Sequence, residues 1–376
     1  MKFETYPFEK LNLLLKDVKT PDDKPLVSLT IGEPQFETPE FIQQALCESS
    51  NLLKKYPKTA GEDYLQDAQI GFIKRRFGVE LYPSEILPTF GTREVLFNFP
   101  QFFLANKENP VMAFVNPFYQ IYEGAAIASN AKIIHLDLLE ENGFKPVIEK
   151  ETLKECDLVI LNSPCNPCAS AMNLDELREW ARLAVEFDFV LINDECYSEI
   201  YTSTPPPSLL EAALLEGNKE FKNILVMNSI SKRSSAPGLR SGLIAGDSKI
   251  LKPYLQYRTY IGCASPLPLQ VAAAKAWNDD LHVEKARDIY IENFKIAHEI
   301  LGVKIPEATF YLWLDVGDGI SFAKELFEKT HIKVLPGAYL GRHGMGSAYV
   351  RLALVEKPEV VKEALKELSE FLKGWN

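Results

Sequence analysis

No apolar run in this 376-residue chain approaches the roughly 20 residues needed to cross a bilayer, so no membrane span is expected. Internal repeats, low-complexity tracts and long flexible linkers are missing as well. The six cysteines, Cys47, Cys156, Cys165, Cys168, Cys196 and Cys263, follow no regular framework, and Met1 to Lys10 is polar and charged where a signal peptide would be apolar. Both features point to a reducing cytoplasm. Cys165 and Cys168 form a lone C-x-x-C. No second half of a zinc ribbon accompanies them, and the prolines around Cys165 and Asn166 suit a loop rather than the helix start of a redox pair, so neither role is expected. There is no excess of positive charge: the net charge is -11, which gives no general affinity for nucleic acid, although a small anion needs only a local cluster of cations. Nor does a G-x-G-x-x-G turn join an early strand to a helix, which argues against a nicotinamide dehydrogenase.

What is present is ordinary for a soluble globular chain: 46% hydrophobic and 25% charged residues, with 24 prolines spread through many short loops. The length suggests roughly two to three domains. Apolar, β-rich runs recur at Val111 to Val115, Lys132 to Leu136, Leu158 to Leu161, Phe189 to Ile192, Ile224 to Met227 and Leu243 to Ala245. Most alternate with helix-patterned stretches such as Leu174 to Phe187, and continuous apolar strands between helices indicate an α/β fold with a parallel sheet covered on both faces. Three of these strands end in unusual polar loops: NSPCNP after Leu161, NDECY after Ile192 and NSISK after Met227. In open α/β sheets, ligands bind beyond the carboxyl ends of the strands, so the three loops are expected to converge.

Beyond about residue 265 the pattern changes. A long helical stretch, Leu269 to Leu301, precedes FYLWLDV, a helix, a strand at Lys333 to Leu335, VRLAL at 350 to 354 and a terminal helix from Pro358. This reads as a smaller α+β domain completed by the first forty or so residues, with IGEPQFETP crossing between the domains. The expected division is a large domain at 44–280 and a small one made of 1–43 and 281–376.

The stretch NSISKRSSAPGLRSGLIAG, Asn228 to Gly246, sets Lys232 among hydroxyls with Arg240 eight residues later. Lysine forms Schiff bases with carbonyl cofactors, and hydroxyls with an arginine suit a phosphate monoester, so pyridoxal phosphate is a candidate ligand. A solvated turn has the same composition. The cofactor needs more than a lysine, and the chain offers each part. Asp194 is suited to the pyridine nitrogen, where an ionic hydrogen bond keeps the ring an electron sink; a helix cap is the competing role. Tyr197 and Asn166 are suited to donate to the phenolic oxygen, and Tyr119 to stack on the ring, although both tyrosines also read as packing aromatics. Gly91, Thr92 and Arg93, at the start of a helix, together with Ser229, Ser231 and Arg240, are candidates for the phosphate. Arg351, set between apolar strand residues, suits a substrate carboxylate held by a bidentate pair, with a structural salt bridge as the alternative.

The ordered set IGEP at 31–34, Tyr56 with Gly61, Gly91-Thr92, Asn162-x-Pro-x-Asn166-Pro, Asp194-x-x-Tyr197, Ser229-x-Ser-Lys232, Arg240 and Arg351 resembles the aspartate aminotransferase family over nearly the whole chain. The resemblance implies the fold type I architecture of pyridoxal-phosphate-dependent transferases, with Lys232 as Schiff-base residue and proton carrier, Asp194 as pyridinium partner, and Tyr197 and Asn166 as phenolate donors. It further implies Arg351 and Gly32 near the substrate carboxylate, and a phosphate held by Thr92, Arg93, Ser229, Ser231 and Arg240. Tyr56 would reach the phosphate of a neighbouring subunit, so a homodimer is implied. Where the family commonly continues Asn-Pro with Thr-Gly, this chain has Cys168-Ala169, a departure that removes no ligand.

Within that family, SKRSSAPGLRSG, GTRE at 91–94 and RTYIGCA at 258–264 look like the N-succinyl-diaminopimelate aminotransferases. That implies amino transfer between glutamate and a long acylated keto diacid, with Tyr260 and Ser265 as candidate contacts to its distal end. A carbon-sulfur lyase, a decarboxylase or an aspartate-type aminotransferase would use the same lysine, aspartate and tyrosine. A pyridoxal-binding DNA regulator is disfavoured, because the motif set already begins at Ile31 and leaves no space for a helix-turn-helix.

Overall fold

The computed structural model describes residues 2–375. Its strands are β1 (Val27–Ser28), β2 (Ile86–Thr89), β3 (Val111–Asn116), β4 (Lys132–Asp137), β5 (Leu158–Asn162), β6 (Val190–Asp194), β7 (Ile224–Ser229), β8 (Gly242–Gly246), β9 (Tyr311–Asp315), β10 (Ile332–Lys333), β11 (Leu335–Pro336) and β12 (Tyr349–Ala353). Seven of them form the large sheet in the order β2-β8-β7-β6-β5-β3-β4. Every residue of β5, β6, β7 and β8 is buried, as expected of apolar strands covered on both faces by helices.

One strand departs from the parallel pattern. β8 pairs antiparallel with both β7 and β2, while the other pairings in the sheet are parallel. The cause is the connection: between β7 and β8 the chain makes only a four-residue helix, Ile230–Arg233, and a single 3-10 turn, Pro237–Leu239, too little for a crossover back to the far edge. The consequence is functional, because Lys232 and Arg240 then lie at the same end of the sheet as the carboxyl ends of β5 and β6. Reversal of β8 also makes β2 point the same way as the parallel strands, so its exit, Phe90-Gly91, arrives at that end too. β2 escapes a reading from apolar runs because it is short and contains Pro88, tolerated at a sheet edge where one side needs no donor.

Helix 174–186 shows how local sequence sets the covering layer. Asn173 Oδ1 accepts from Glu176 N at 2.9 Å and Glu176 Oε2 accepts from Asn173 N at 2.6 Å, closing a capping box. Leu177, Trp180, Ala181 and Ala184 then form its buried stripe. The stretch Leu269 to Leu301 is two helices, Leu267–Trp277 and Leu281–Leu301, rather than one. The break falls at Asn278–Asp280, where short polar side chains compete for backbone groups: the Asp279 carboxylate accepts from His282 N at 3.0 Å and so starts the second helix.

The antiparallel sheet β11-β12-β9 and the parallel pair β1–β10 complete the strands. Lys333 to Leu335 is therefore divided between two short strands with different partners. A first hydrophobic core runs from Ile42 to Trp277 around the large sheet, and a second gathers Leu29, Phe294, Leu312, Phe322, Leu352 and Leu365. Among the described residues no helix is long and apolar enough to cross a membrane.

The helix that leaves the cavity end of β2, Thr92–Leu104, is pinned by a buried ion pair. Arg258 donates to Glu94 from Nε (3.1 Å) and Nη2 (3.0 Å), and from Nη1 to Pro88 O at 3.0 Å. Glu94 also accepts from Phe90 N at 3.2 Å and Asn98 Nδ2 at 2.8 Å. Removing one partner strands the other charge in the interior. Arg258→Met is expected to cost about 3–5 kcal/mol of unfolding free energy, with the double variant Arg258→Met/Glu94→Gln recovering part of it. Urea denaturation of wild type and both variants checks this; equal stabilities would show that the pair does not hold the helix.

Candidate active site

The ends of β5, β6 and β7, the start of β8, the first turn of helix 92–104 and β12 surround a cavity of about 720 Å³. Gly32, Thr92, Arg93, Tyr119, Asn166, Asp194, Tyr197, Ser229, Ser231, Lys232, Arg240 and Arg351 all line it. Gly91 stands just behind, in the left-handed region at φ 75°, and a side chain there would strike the Arg240 guanidinium. Two tyrosines stand elsewhere: Tyr56 is fully exposed and Tyr260 is 86% exposed, and neither lines the cavity. Ser265 is buried, with its hydroxyl unpaired, and does not line the cavity either.

Lys232 is aimed by the short helix after β7, whose start is capped by Ser229: Ser229 Oγ accepts from Ser231 N at 3.1 Å. Its Nζ donates to the carbonyl of Gly32. The IGEP loop approaches so closely that a Cβ at Gly32 would collide with Tyr311. Burial pushes the Lys232 ammonium down to about 8; the charges of Arg351 and Arg93 act in the same direction, while Cys196 and Glu33 oppose it.

Asp194 is the last residue of β6 and is buried. Its Oδ2 accepts from Tyr122 Oη at 2.9 Å and its Oδ1 from Cys196 N at 3.2 Å. Burial raises its pKa, and the hydrogen bonds from Cys196 and Tyr122 pull it back. Asn162, opposite Asp194 in the β5–β6 register, ties two parts of the site together. Its Nδ2 donates to Asp194 O at 2.9 Å and its Oδ1 accepts from Asn166 N at 2.8 Å. Tyr197 Oη lies 2.9 Å from Tyr311 Oη, and burial raises its pKa well above the ordinary phenol value.

Arg351 enters from β12 and is buried. It donates from Nη1 to Asn166 Oδ1 and from Nη2 to Thr30 O, both at 2.6 Å, and its guanidinium lies 4.2 Å from the Tyr311 ring centre. Its Nε is buried without a partner, and the acceptors of its other nitrogens among the described residues are an amide and a backbone carbonyl, not a carboxylate. A buried guanidinium that lines a cavity without a carboxylate partner suits an anion there.

At the other end, Arg240 is held by Pro237 O (2.8 Å) and Phe90 O (3.4 Å) beside the helix start at Thr92. Ser229 and Ser231 join their hydroxyls at 2.9 Å, and Thr92 Oγ1 lies 3.3 Å from Cys196 Sγ. Guanidinium, hydroxyls and the first N–H groups of a helix make a phosphate-sized cup. Tyr119 accepts from Arg93 Nε at 2.8 Å. Cys165 and Cys168 flank Asn166 as buried free thiols, and among the described residues no cluster of His, Cys, Asp and Glu is placed to hold a metal ion.

Tyr122, Tyr311 and Thr30 are contacts that sequence patterns did not supply. Tyr122, three residues beyond Tyr119 in FYQIY, had the only usable signal, and it is indistinguishable from core spacing. The donor set as a whole fits pyridoxal 5'-phosphate: an enclosed amine of lowered pKa, a buried carboxylate one strand away, phenol and amide donors, an anion cup, and an orphaned arginine nitrogen on the substrate side.

Known proteins agree with this geometry. The sequence matches the family model for aminotransferase class I and II over residues 24–368. The crystal structure of aminotransferase AspB from Helicobacter pylori 26695 superposes with a TM-score of 0.97 at 51% identity, covering 99% of this chain and 100% of that one. A 4-dedimethylamino-4-oxo-anhydrotetracycline transaminase of Streptomyces rimosus is 33% identical over 92% of this chain and 93% of its own length. An LL-diaminopimelate aminotransferase of Natranaerobius thermophilus is 31% identical over 93% and 92%. The fold, the cavity and these likenesses agree that the chain belongs to the class I and II aminotransferases, enzymes of fold type I that use pyridoxal 5'-phosphate to exchange amino groups between amino and keto acids.

Proposed function

We propose that this aminotransferase moves an amino group between glutamate and an N-succinyl-type acylated keto diacid of the diaminopimelate class. The observation that carries the substrate side is Arg351, a buried cation that lines the cavity Lys232 enters and has no carboxylate partner among the described residues. It would take the carboxylate next to the reacting carbon in both substrates. The diaminopimelate class is favoured by the likeness to the Natranaerobius thermophilus enzyme, whose own name carries the unacylated compound. That makes free diaminopimelate the second reading.

In this reading Asp194, oriented by Tyr122, would hold the cofactor's pyridine nitrogen, Tyr197 and Asn166 its phenolic oxygen, and Ser229, Ser231, Arg240 and the Gly91-Thr92 turn its phosphate. Tyr119 would cover the ring. When bound, pyridoxal phosphate supplies the electron sink for the charge left when the substrate α-proton departs. Lys232 would hold the cofactor through its amine and, once displaced by substrate, carry the proton from the substrate α-carbon. An amine whose pKa lies near 8 suits a base working near neutrality. Tyr56, fully exposed with its neighbour Leu53, would serve the phosphate of a partner subunit in a homodimer. Six free cysteines suit a reducing cytoplasm.

A panel of amino donors tests the function. Glutamate is expected to convert the cofactor to its aminated form, and an acylated diaminopimelate-type keto acid to restore it faster than oxaloacetate does. Lys232→Ala is expected to lose turnover by at least about 10⁴-fold. Full activity in that variant would remove Lys232 from the chemistry, and preference for oxaloacetate would make this an aspartate-type enzyme.

The lowered pKa of Lys232 gives a second expectation. Only the neutral amine attacks an aldehyde, so the rate of pyridoxal phosphate capture by the apo-protein should climb tenfold per pH unit below about 8 and level off above it. Stopped-flow capture from pH 6 to 10.5 measures this. A rate still climbing beyond pH 10 would mean that burial does not lower the pKa.

A further inference from the structure

The turn that follows Lys232 is a wall between two cavities. Ser231 and Lys232 line the one described above, whereas Arg233, Ser234 and Ser235 line a second, of about 430 Å³, together with Phe36, Phe41 and Ile289. Ser234 and Ser235 are buried, and Ser235 lies in the left-handed region at φ 47°. A side chain in that region is strained, so the turn needs contacts that hold it.

Those contacts come from both places where the chain passes between its two hydrophobic cores. On the way from Leu29 in the second core to Ile42 in the first, Thr38 Oγ1 donates to Ser235 O at 2.6 Å. On the way back, between Trp277 and Phe294, the partners are Ala276, Asp280 and His282. Arg233 donates from Nη1 to Ala276 O at 2.8 Å and from Nη2 to Asp280 Oδ1 at 3.0 Å, and His282 Nε2 lies 2.8 Å from Ser234 Oγ. Phe41 links the two passages, with its ring edge-on to His282 at 5.4 Å between centres.

The His282 ring is not needed for the helix start, because Asp279 Oδ1 already accepts from His282 N at 3.0 Å. The same oxygen lies 2.6 Å from Nδ1 and orients the imidazole. Burial lowers the His282 pKa and the Arg233 charge acts the same way, while Asp279 opposes it. A neutral ring with its proton on Nδ1 leaves Nε2 to accept from the Ser234 hydroxyl.

We propose that Ser234 and His282 are positioning residues for Lys232: their bond, with Thr38 on the other side of the turn, lets the stance of the two cores set the angle at which the lysine enters its cavity. This rests on the reading in which Lys232 carries the substrate α-proton.

The test compares Ser234→Ala, His282→Phe and the double variant, with His282→Gln keeping an acceptor where Nε2 stood. In the holoenzyme with glutamate, the first three are expected to lower kcat about 10- to 100-fold with KM within about threefold of wild type. The double variant should lose no more than either single one. The isotope effect from α-deuterated glutamate should rise, because a misplaced base slows proton transfer, and binding of unreactive glutarate should stay unchanged. His282→Gln should recover most of the rate. A second readout needs no turnover: capture of pyridoxal phosphate by apo Ser234→Ala should level off at a higher pH than in wild type, as the loosened turn admits water to Lys232. An unchanged kcat and isotope effect in both single variants overturns the proposal, and so does a double variant whose loss is the product of the two. If Lys232→Ala keeps its turnover, the reading of the lysine falls and the capture profile alone decides: a shift in Ser234→Ala upholds the positioning role, and an unshifted profile refutes it.

Discussion

A line of buried polar contacts runs from the antiparallel sheet β11-β12-β9 to the seven-stranded sheet of this enzyme. Arg351 on β12 donates to Asn166, the Asn166 amide donates to Asn162, Asn162 donates to the carbonyl of Asp194, and the Asp194 carboxylate accepts from Tyr122. Each group is satisfied only if the next is in place, and a buried polar group without its partner costs on the order of 1–3 kcal/mol. The line therefore helps to fix where the antiparallel sheet stands against the seven-stranded one. It also sets a carboxylate, an amide and a guanidinium in a row with no separate scaffold for each.

The same economy governs charge. The protein carries a net charge of -11, yet its cavity holds Lys232, Arg93, Arg240 and Arg351 with Asp194 as the buried carboxylate among them. Burial in this low-dielectric space brings the Lys232 pKa down to about 8, and the nearby Arg351 and Arg93 charges add to the same shift. Burial thus favours the neutral amine, and the arginines that line the cavity suit anions. A phosphate and substrate carboxylates answer that demand, so the electrostatics of the cavity and the chemistry of an aminotransferase meet in one set of residues.

Much of this was legible in the chain because the central strands β5, β6 and β7 are apolar runs that stop abruptly at polar loops. Leu161, Ile192 and Met227 mark those stops, and the residues just beyond them, Asn166, Asp194, Tyr197, Ser229 and Lys232, line the cavity together. The reversal of β8 was not legible, because direction depends on how much chain separates two strands rather than on their composition. Nor was the break at Asn278–Asp280, where a few polar side chains interrupt a pattern that is helical on either side. Tyr122 and Tyr311 were hidden for a further reason: an aromatic that hydrogen-bonds across a cavity has the same spacing as one that only packs.

Substrate identity is harder to read than the cofactor apparatus, and the loop after Lys232 shows why. Arg233 turns away from the cavity. It donates to Ala276 O at 2.8 Å and Asp280 Oδ1 at 3.0 Å, and lies over the rings of Phe72 and Trp277. Ser234 Oγ meets His282 Nε2 at 2.8 Å, and His282 Nδ1 meets Asp279 at 2.6 Å. Arg258, in RTYIGCA, is spent on Glu94. Arg233, Ser234 and Arg258, which lie in the runs that look most like one substrate subgroup, therefore brace the segment carrying Lys232 and the helix 92–104. Discrimination has to come from side chains that line the cavity without holding the fold.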